Sequence, residues 1–148
     1  MWDIDPSWDS SHVLTACADG TARLFDTTTG EYIARMPHKG VVRCVKWGDG
    51  PNRYATASDP FTSRDLGQIC IFNLPVKEDL ANQTLKKEDP APVHLPLMTI
   101  EVDDNDKATC MGWTIGDEFI IAGFDSGNIG KNHMLYQCYL FVSSYMRR

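Results

Sequence analysis

The sequence predicts an all-β fold in which one four-stranded antiparallel unit recurs along the chain. The first observation is the turn Ala18-Asp19-Gly20-Thr21, which separates two runs of alternating apolar and polar residues. Asp-Gly favours a tight hairpin because both residues tolerate a positive φ. The second observation is the pattern Cys-x-x-Trp at 44–47 and 110–113, where each Trp precedes an aspartate, Asp59 or Asp125, by twelve positions. Equal spacing in two places indicates a structural repeat.

Each complete repeat is expected to supply four strands. In the first repeat these are residues 1–5, 12–16, 21–26 and 31–36, with the turn Thr27-Thr28-Thr29-Gly30 before the last. In the second repeat they are residues 41–47, 53–57, 68–73 and 97–101. A long polar loop at 75–96 interrupts the second repeat, and it is interpreted either as a mobile segment or as a partner-contact loop.

The repeats end in the manner of WD40 repeats. Phe25-Asp26 stands where a WD40 repeat ends in Trp-Asp, and His38 stands where the Gly-His of the next repeat is expected. We therefore predict a partial WD40 β-propeller over residues 1–128, with complete blades at 1–36 and 41–101, an incomplete blade at 107–128 and no ring closure. A divergent tail follows at 129–148. The residues predicted to form the structural network of the blades are Asp19, Phe25, His38, Asp59, Phe72 and Asp125, and those predicted to form the blade core are Trp2, Trp47 and Trp113.

Composition and charge argue against several classes of protein. The net charge of -6 and the pI near 5.0 argue against wrapping nucleic acid phosphates, which requires clustered Lys and Arg. Five cysteines without a Cys-x-x-Cys pair suggest neither a disulfide framework nor a zinc site. The first residues show no basic segment followed by an apolar one, and the uncharged run at 134–146 is too short and polar to cross a bilayer. We expect a cytoplasmic protein that contacts neither membrane nor DNA.

No catalytic, cofactor-binding or metal-binding residues are predicted. Ser10, Ser11 and His12 are neighbours in sequence, which does not make a catalytic triad. The acidic run at 103–106 lacks the Gly and the terminal Glu of a calcium loop. His94 and His133 are expected to be exposed and without a role.

Three strings resemble a known family: Trp2 to Asp9, His12 to Asp19, and Arg23 to Asp26 are similar to subunit i of eukaryotic translation initiation factor 3. The resemblance continues through Gly116 to Gly123 and covers about residues 1–128. It is more specific than a general WD40 match, because the atypical second repeat, with its extended turn and missing Trp-Asp, is itself similar to that subunit.

The resemblance implies a seven-bladed propeller that acts as a non-catalytic scaffold beside the b and g subunits of the factor. Such a subunit would support assembly of the preinitiation complex and, indirectly, mRNA recruitment to the small ribosomal subunit. A ring of that kind needs about 300 residues, so this chain is expected to be a truncated product or fragment with a foreign tail and low solubility. The alternatives are a WD-repeat adaptor associated with receptor kinases or another multiprotein complex, and a propeller hydrolase.

Overall fold

The computed structural model describes residues 1–81, 91–102, 106–117 and 119–125, apart from the side chains of two residues in the short helix, Lys77 and Asp79. The first sheet contains β1 (Asp3–Pro6), β2 (His12–Ala16), β3 (Thr21–Asp26) and β4 (Tyr32–Pro37), paired in that order. The second contains β5 (Val42–Trp47), β6 (Arg53–Ser58), β7 (Gly67–Asn73) and β8 (Met98–Val102). A hairpin follows, made of β9 (Ala108–Trp113) and β10 (Ile120–Phe124).

All pairings within these sheets are antiparallel between strands that follow one another in the chain. This is the up-and-down order of propeller blades. The prediction of a partial β-propeller with two four-stranded blades is therefore confirmed, and the observed strands begin and end within two residues of the predicted ones. We call the first sheet blade 1, the second blade 2 and the hairpin blade 3.

Two apolar clusters join the blades face to face. Between blades 1 and 2, apolar side chains from both blades meet in one core, which includes Leu14, Leu24, Met36, Val42, Trp47, Tyr54 and Phe72. Between blades 2 and 3, the small residues Ala55, Ala57, Ala108 and Ala122 are buried with Ile69 and Ile120. Small side chains let neighbouring sheets approach closely, and burial of both clusters supplies the main favourable free energy of folding.

The long loop returns along blade 1 at residues 91–94. It begins with the helix α1 (Lys77–Ala81), and its later part runs parallel to β4. The Arg35 amide donates to the Pro92 carbonyl at 2.9 Å, and the His94 amide donates to the Arg35 carbonyl at 2.8 Å. These bonds cover the edge of β4, which would otherwise present unpaired backbone groups.

The His94 ring is also engaged, so the expectation that this histidine has no role is wrong. Its Nε2 lies 2.8 Å from the Asn73 carbonyl oxygen, and its ring centroid lies 5.5 Å from that of Phe72. The long loop brings His94 back beside the end of β7, a contact that local sequence does not reveal.

Several expectations concern residues outside the described ranges, namely most of the acidic run at 103–106, His133 and the tail at 129–148. In the described part, no helix is long and apolar enough to cross a membrane. The described cysteines, Cys17, Cys44, Cys70 and Cys110, are free thiols.

Candidate functional site

Asp19 organises the turn between β2 and β3. Its Oδ1 accepts hydrogen bonds from the Thr21 amide at 3.0 Å and the Thr21 hydroxyl at 2.6 Å, and its other oxygen forms an ion pair with Arg23. Gly20 beside it has φ +80°. Partial burial opposes ionisation, but the hydrogen bonds from Thr21 and the Arg23 guanidinium hold the pKa of Asp19 below its usual range. The carboxylate therefore stays charged and keeps the turn closed.

His38 connects the two complete blades. Its backbone amide donates to the Gly20 carbonyl at 2.7 Å, while its ring Nε2 lies 3.1 Å from the Thr56 hydroxyl. Its Nδ1 lies 3.9 Å from the Cys70 sulfur. Burial lowers the pKa of His38 to about 4, so the ring is neutral at pH 7. The ring thus belongs to the polar network of blade 2, and its main chain belongs to the turn of blade 1.

The hydroxyl that meets His38 comes from β6. Leu14 and Tyr54 each stand five positions before the turn aspartate, Asp19 or Asp59, so the two repeats align without a gap here. In this alignment Thr56 occupies the position of Ala16. Thr56 is not among the residues predicted for the blade network, although the alignment of the two aspartates was a signal that could have found it.

Asp59 is 8% exposed and pairs with Arg43. Both carboxylate oxygens lie 2.8 Å from Arg43 Nε. The Arg43 guanidinium carbon in turn lies 5.4 Å from the centroid of the Trp2 ring, a cation-π arrangement. Trp2 therefore lies over the guanidinium of the Arg43–Asp59 pair, at the junction between blades 1 and 2.

Trp2 is 58% exposed, so its prediction as a blade-core residue is wrong. The ring covers Arg43 at the surface, and the core position at this junction is filled by Trp47, which is 5% exposed. The Trp47 ring centroid lies 5.1 Å from that of Tyr54 and 6.2 Å from that of His12. Trp113 is half-buried at the next junction, where its indole N–H donates to the Lys46 carbonyl at 3.1 Å.

Phe25 and Phe72, both predicted to belong to the structural network of the blades, occupy different positions in their repeats. Leu14 pairs with Leu24 in blade 1, and Tyr54 pairs with Phe72 in blade 2. Phe72 therefore stands in the position of Leu24, and it is buried with its ring stacked on Tyr54 at 5.2 Å. Phe25 is half-buried and stacks on Tyr32 of β4, with 5.0 Å between ring centroids.

Asp125 follows β10 and is exposed. Its amide donates to the Lys107 carbonyl at 3.0 Å, which extends the hairpin of blade 3 by one bond. The equal spacing from Trp to Asp thus places Asp59 and Asp125 after equivalent strands, β6 and β10.

Aspartates of β1 bind the edge of blade 2, a contact that sequence reasoning missed. Asp3 Oδ2 accepts the Val45 amide at 3.0 Å, and Asp5 Oδ2 accepts the Trp47 amide at 2.7 Å. The ammonium group of Lys46 lies 2.6 Å from Asp5 Oδ1. The carboxylates thereby satisfy backbone donors that an edge strand leaves open. The alternation Asp3-Ile4-Asp5 in an edge strand was the available signal.

A second set of aspartates joins blades 2 and 3, and we call it the aspartate clasp: Asp49 and Gly50 of blade 2 with Gly116 and Asp117 of blade 3. The Asp117 carboxylate accepts the amides of Asp49 and Gly50, the latter at 3.1 Å. In return, Asp49 Oδ2 accepts the Gly116 amide at 3.1 Å. Gly48 leaves room for this carboxylate, because a Cβ there would lie 2.5 Å from Asp117 Oδ1.

The serines beside His12 do not form a catalytic triad. Ser11 Oγ lies 2.7 Å from His12 Nδ1, but the carboxylate of Asp9 accepts hydrogen bonds from Ser11 and Ser7 and does not orient the imidazole. The hydrogen bonds from Ser11 and Ser7 lower the pKa of Asp9 to about 2. This arrangement stabilises the turn between β1 and β2. Within the described ranges, no group of three His, Cys, Asp or Glu side chains could hold a metal ion.

Comparison with known proteins agrees with the resemblance found in the sequence. No protein-family model matches the chain. Over 130 residues, 87% of its length, the chain is 34% identical to "Eukaryotic translation initiation factor 3 subunit I" of Drosophila willistoni. It is 32% identical over the same length to the subunits of that name from Drosophila sechellia and Drosophila melanogaster. The chain spans 36% of the length of these relatives. The resemblance stated from the sequence is therefore confirmed.

Proposed function

Because the chain is homologous to part of subunit I of eukaryotic translation initiation factor 3, we propose that it acts in translation initiation as a non-catalytic scaffold within that factor. The similarity over 130 residues is the observation that carries the proposal. In the described part of the chain, polar side chains of the blades are used to join strands and blades. Such use of Asp3, Asp5, His38, Asp59 and Asp117 supports a structural role for the chain.

We propose that the chain acts by holding other subunits in position. Rigid blades present their faces and rims to segments of other subunits, and main-chain and pocket contacts set specificity. The partners would be other subunits of the factor, with b and g as the first candidates, and the small ribosomal subunit and mRNA would be reached through them. The net charge of -6 favours basic protein segments over nucleic acid phosphates as direct ligands. The site of action would be the cytoplasm.

Affinity purification of the tagged chain from eukaryotic cells tests this function. We expect other subunits of the initiation factor and the small ribosomal subunit to be recovered with it. The variant Leu14→Asp is the control, because it places a carboxylate in the buried core and should abolish specific recovery. Recovery of receptor kinases or ubiquitin-ligase subunits without any initiation-factor subunit would overturn the proposal in favour of another adaptor role.

A further inference from the structure

An open cleft of about 480 Å³ lies where β4, the end of β7 and helix α1 meet. Both complete blades contribute to it, so it exists only when they are assembled. Its wall is mostly apolar and is formed by Tyr32, Ile33, Leu74, Pro75, Leu80 and Pro92. Val76, the next residue after Pro75, is 55% exposed and extends the apolar surface. An open cleft with an apolar wall and a few polar groups has the composition of a binding site.

Two carboxylates give the cleft a negative charge. Asp26 and Glu31 line it together with His12, and no Lys or Arg is among its described lining residues. The Asp26 carboxylate is fixed in place by the amides of Thr28 and Thr29, both at 2.8 Å. These hydrogen bonds hold the pKa of Asp26 below its usual range, so its charge persists at neutral pH. Glu31 is exposed and able to meet a cation directly.

Hydrogen bonds and a β-bulge fix the wall of the cleft. The residues beside Pro92 are held to β4 by the hydrogen bonds of Arg35, whose Nε also lies 3.3 Å from the Ala91 carbonyl oxygen. On β4, Ile33 is the extra residue of a β-bulge, since Leu24 pairs with Ala34 and Phe25 pairs with Tyr32. A bulge turns the strand locally and commonly shapes a functional surface. A preformed site loses little conformational entropy on binding.

We propose that this cleft docks a basic segment of another protein subunit, which inserts one aliphatic or aromatic side chain between β4 and α1. A Lys or Arg within about four residues of that anchor pairs with Asp26 and Glu31. The apolar wall supplies affinity, and the two carboxylates select a cationic segment. This inference rests on the proposed scaffold function, because it specifies where a partner of the scaffold binds.

The test uses the full 148-residue chain and an array of 12-residue peptides that tile the other subunits of the initiation factor. We expect the bound peptides to share an apolar anchor with a nearby Lys or Arg, and their affinity to fall as NaCl rises from 50 to 300 mM. Glu31→Lys should lower the affinity for these peptides about tenfold, because it reverses the charge that pairs with their Lys or Arg. Ala81→Trp should weaken them about as much by filling the cleft, since Ala81 lines it at the exposed end of α1.

Glu101→Lys is the matched control, because Glu101 is an exposed acid on β8 that does not line the cleft. Glu101→Lys changes the net charge by the same amount as Glu31→Lys. It should leave the affinity for the peptides within twofold of that of the original chain. All variants should show the circular dichroism spectrum of the original chain. If initiation-factor subunits still co-purify while peptide binding is unaffected by Glu31→Lys and Ala81→Trp, the cleft proposal is overturned and the scaffold function stands. If no peptide binds and no subunit co-purifies, both proposals fail.

Discussion

At the scale of single residues, His38 should make stability depend on pH. The folded protein holds the His38 pKa at about 4, below its usual value of 6.5, so between these values the unfolded chain binds a proton that the folded chain does not. Stability from this residue is complete above pH 6.5 and is lost as the pH falls toward 4. Because the His38 ring is partly exposed, we expect the free energy of unfolding to fall by an amount on the order of 2 kcal/mol. Urea unfolding midpoints at pH 7 and pH 4.5 measure it.

The variant His38→Gln isolates this contribution. Glutamine can still hydrogen-bond Thr56 but does not titrate, so its stability should change less between pH 7 and 4.5 than that of the original chain. The aspartates Asp9, Asp19 and Asp26 have pKa values below 3.8 and protonate mainly at lower pH. Equal pH dependence in the two proteins would contradict the assignment of His38 as a buried neutral ring.

Gly40 is the residue at which added volume should be least tolerated. A Cβ there would overlap the backbone carbonyl of Asp59, where the segment before β5 meets the turn after β6. Backbone cannot move aside as a flexible side chain can, so Gly40→Ala should lower the free energy of unfolding by about 2 kcal/mol or more. Chemical denaturation measures the change. Gly112→Ala is the control, since no atom lies within 4 Å of its added Cβ, and a similar loss in both variants would refute the close approach.

At the scale of elements, the aspartate clasp should hold blade 3 to blade 2. Asp117 is 8% exposed, and its removal in Asp117→Ala leaves the amides of Asp49 and Gly50 without their acceptor. Asp49 is exposed and Gly50 is half-buried, so the cost is that of losing hydrogen bonds to a charged acceptor, about 1.5 kcal/mol. Because the clasp joins two elements, hydrogen exchange should accelerate mainly in β9 and β10. Mass spectrometry of exchanged peptides detects this.

The variant Asp117→Asn is the matched comparison for the clasp. Asp117 has φ +55°, a conformation that Asn tolerates nearly as well as Asp, and the amide oxygen can still accept one hydrogen bond. Its exchange rates should lie between those of the original chain and Asp117→Ala. Uniform acceleration across the ten strands of the described part of the chain, in both variants, would show that the clasp is not a local link between blades.

At the scale of the whole molecule, exposed apolar side chains at the start of β1 should cause self-association. Trp2, directly before β1, is 58% exposed, and Ile4 on β1 is 52% exposed. The Trp2 amide donates to the Ala16 carbonyl at 2.8 Å, so Trp2 continues the strand, and alternate residues of a strand point to the same face. Sedimentation velocity at tens of micromolar should therefore show species larger than the 16.6 kDa monomer. Ile4→Thr should shift the distribution toward monomer. A stable monomer of the original chain at these concentrations would contradict this prediction.

Leu95→Thr serves as the control for this measurement. Leu95 is 72% exposed but lies outside β1, so its replacement changes the apolar surface without altering the face of the strand. It should leave the distribution of sedimenting species unchanged. If Leu95→Thr and Ile4→Thr reduce association equally, the association is a general consequence of apolar exposure and not a property of β1.

Local sequence determined the strands, the Asp19-Gly20 turn and the buried position of Trp47. Strand periodicity and turn chemistry act between near neighbours, so they can be read directly from the order of residues. The tertiary structure alone decided that Asp59 pairs with Arg43, that Trp2 stays at the surface and that Asp117 reaches blade 2. It also decided that residues 91–94 cover β4. Arg43 and Asp59 lie on one blade but 16 positions apart, whereas the contacts of Asp117 and of residues 91–94 join segments more distant in the chain. These partners are set by how strands and blades pack, which the local residue pattern does not specify.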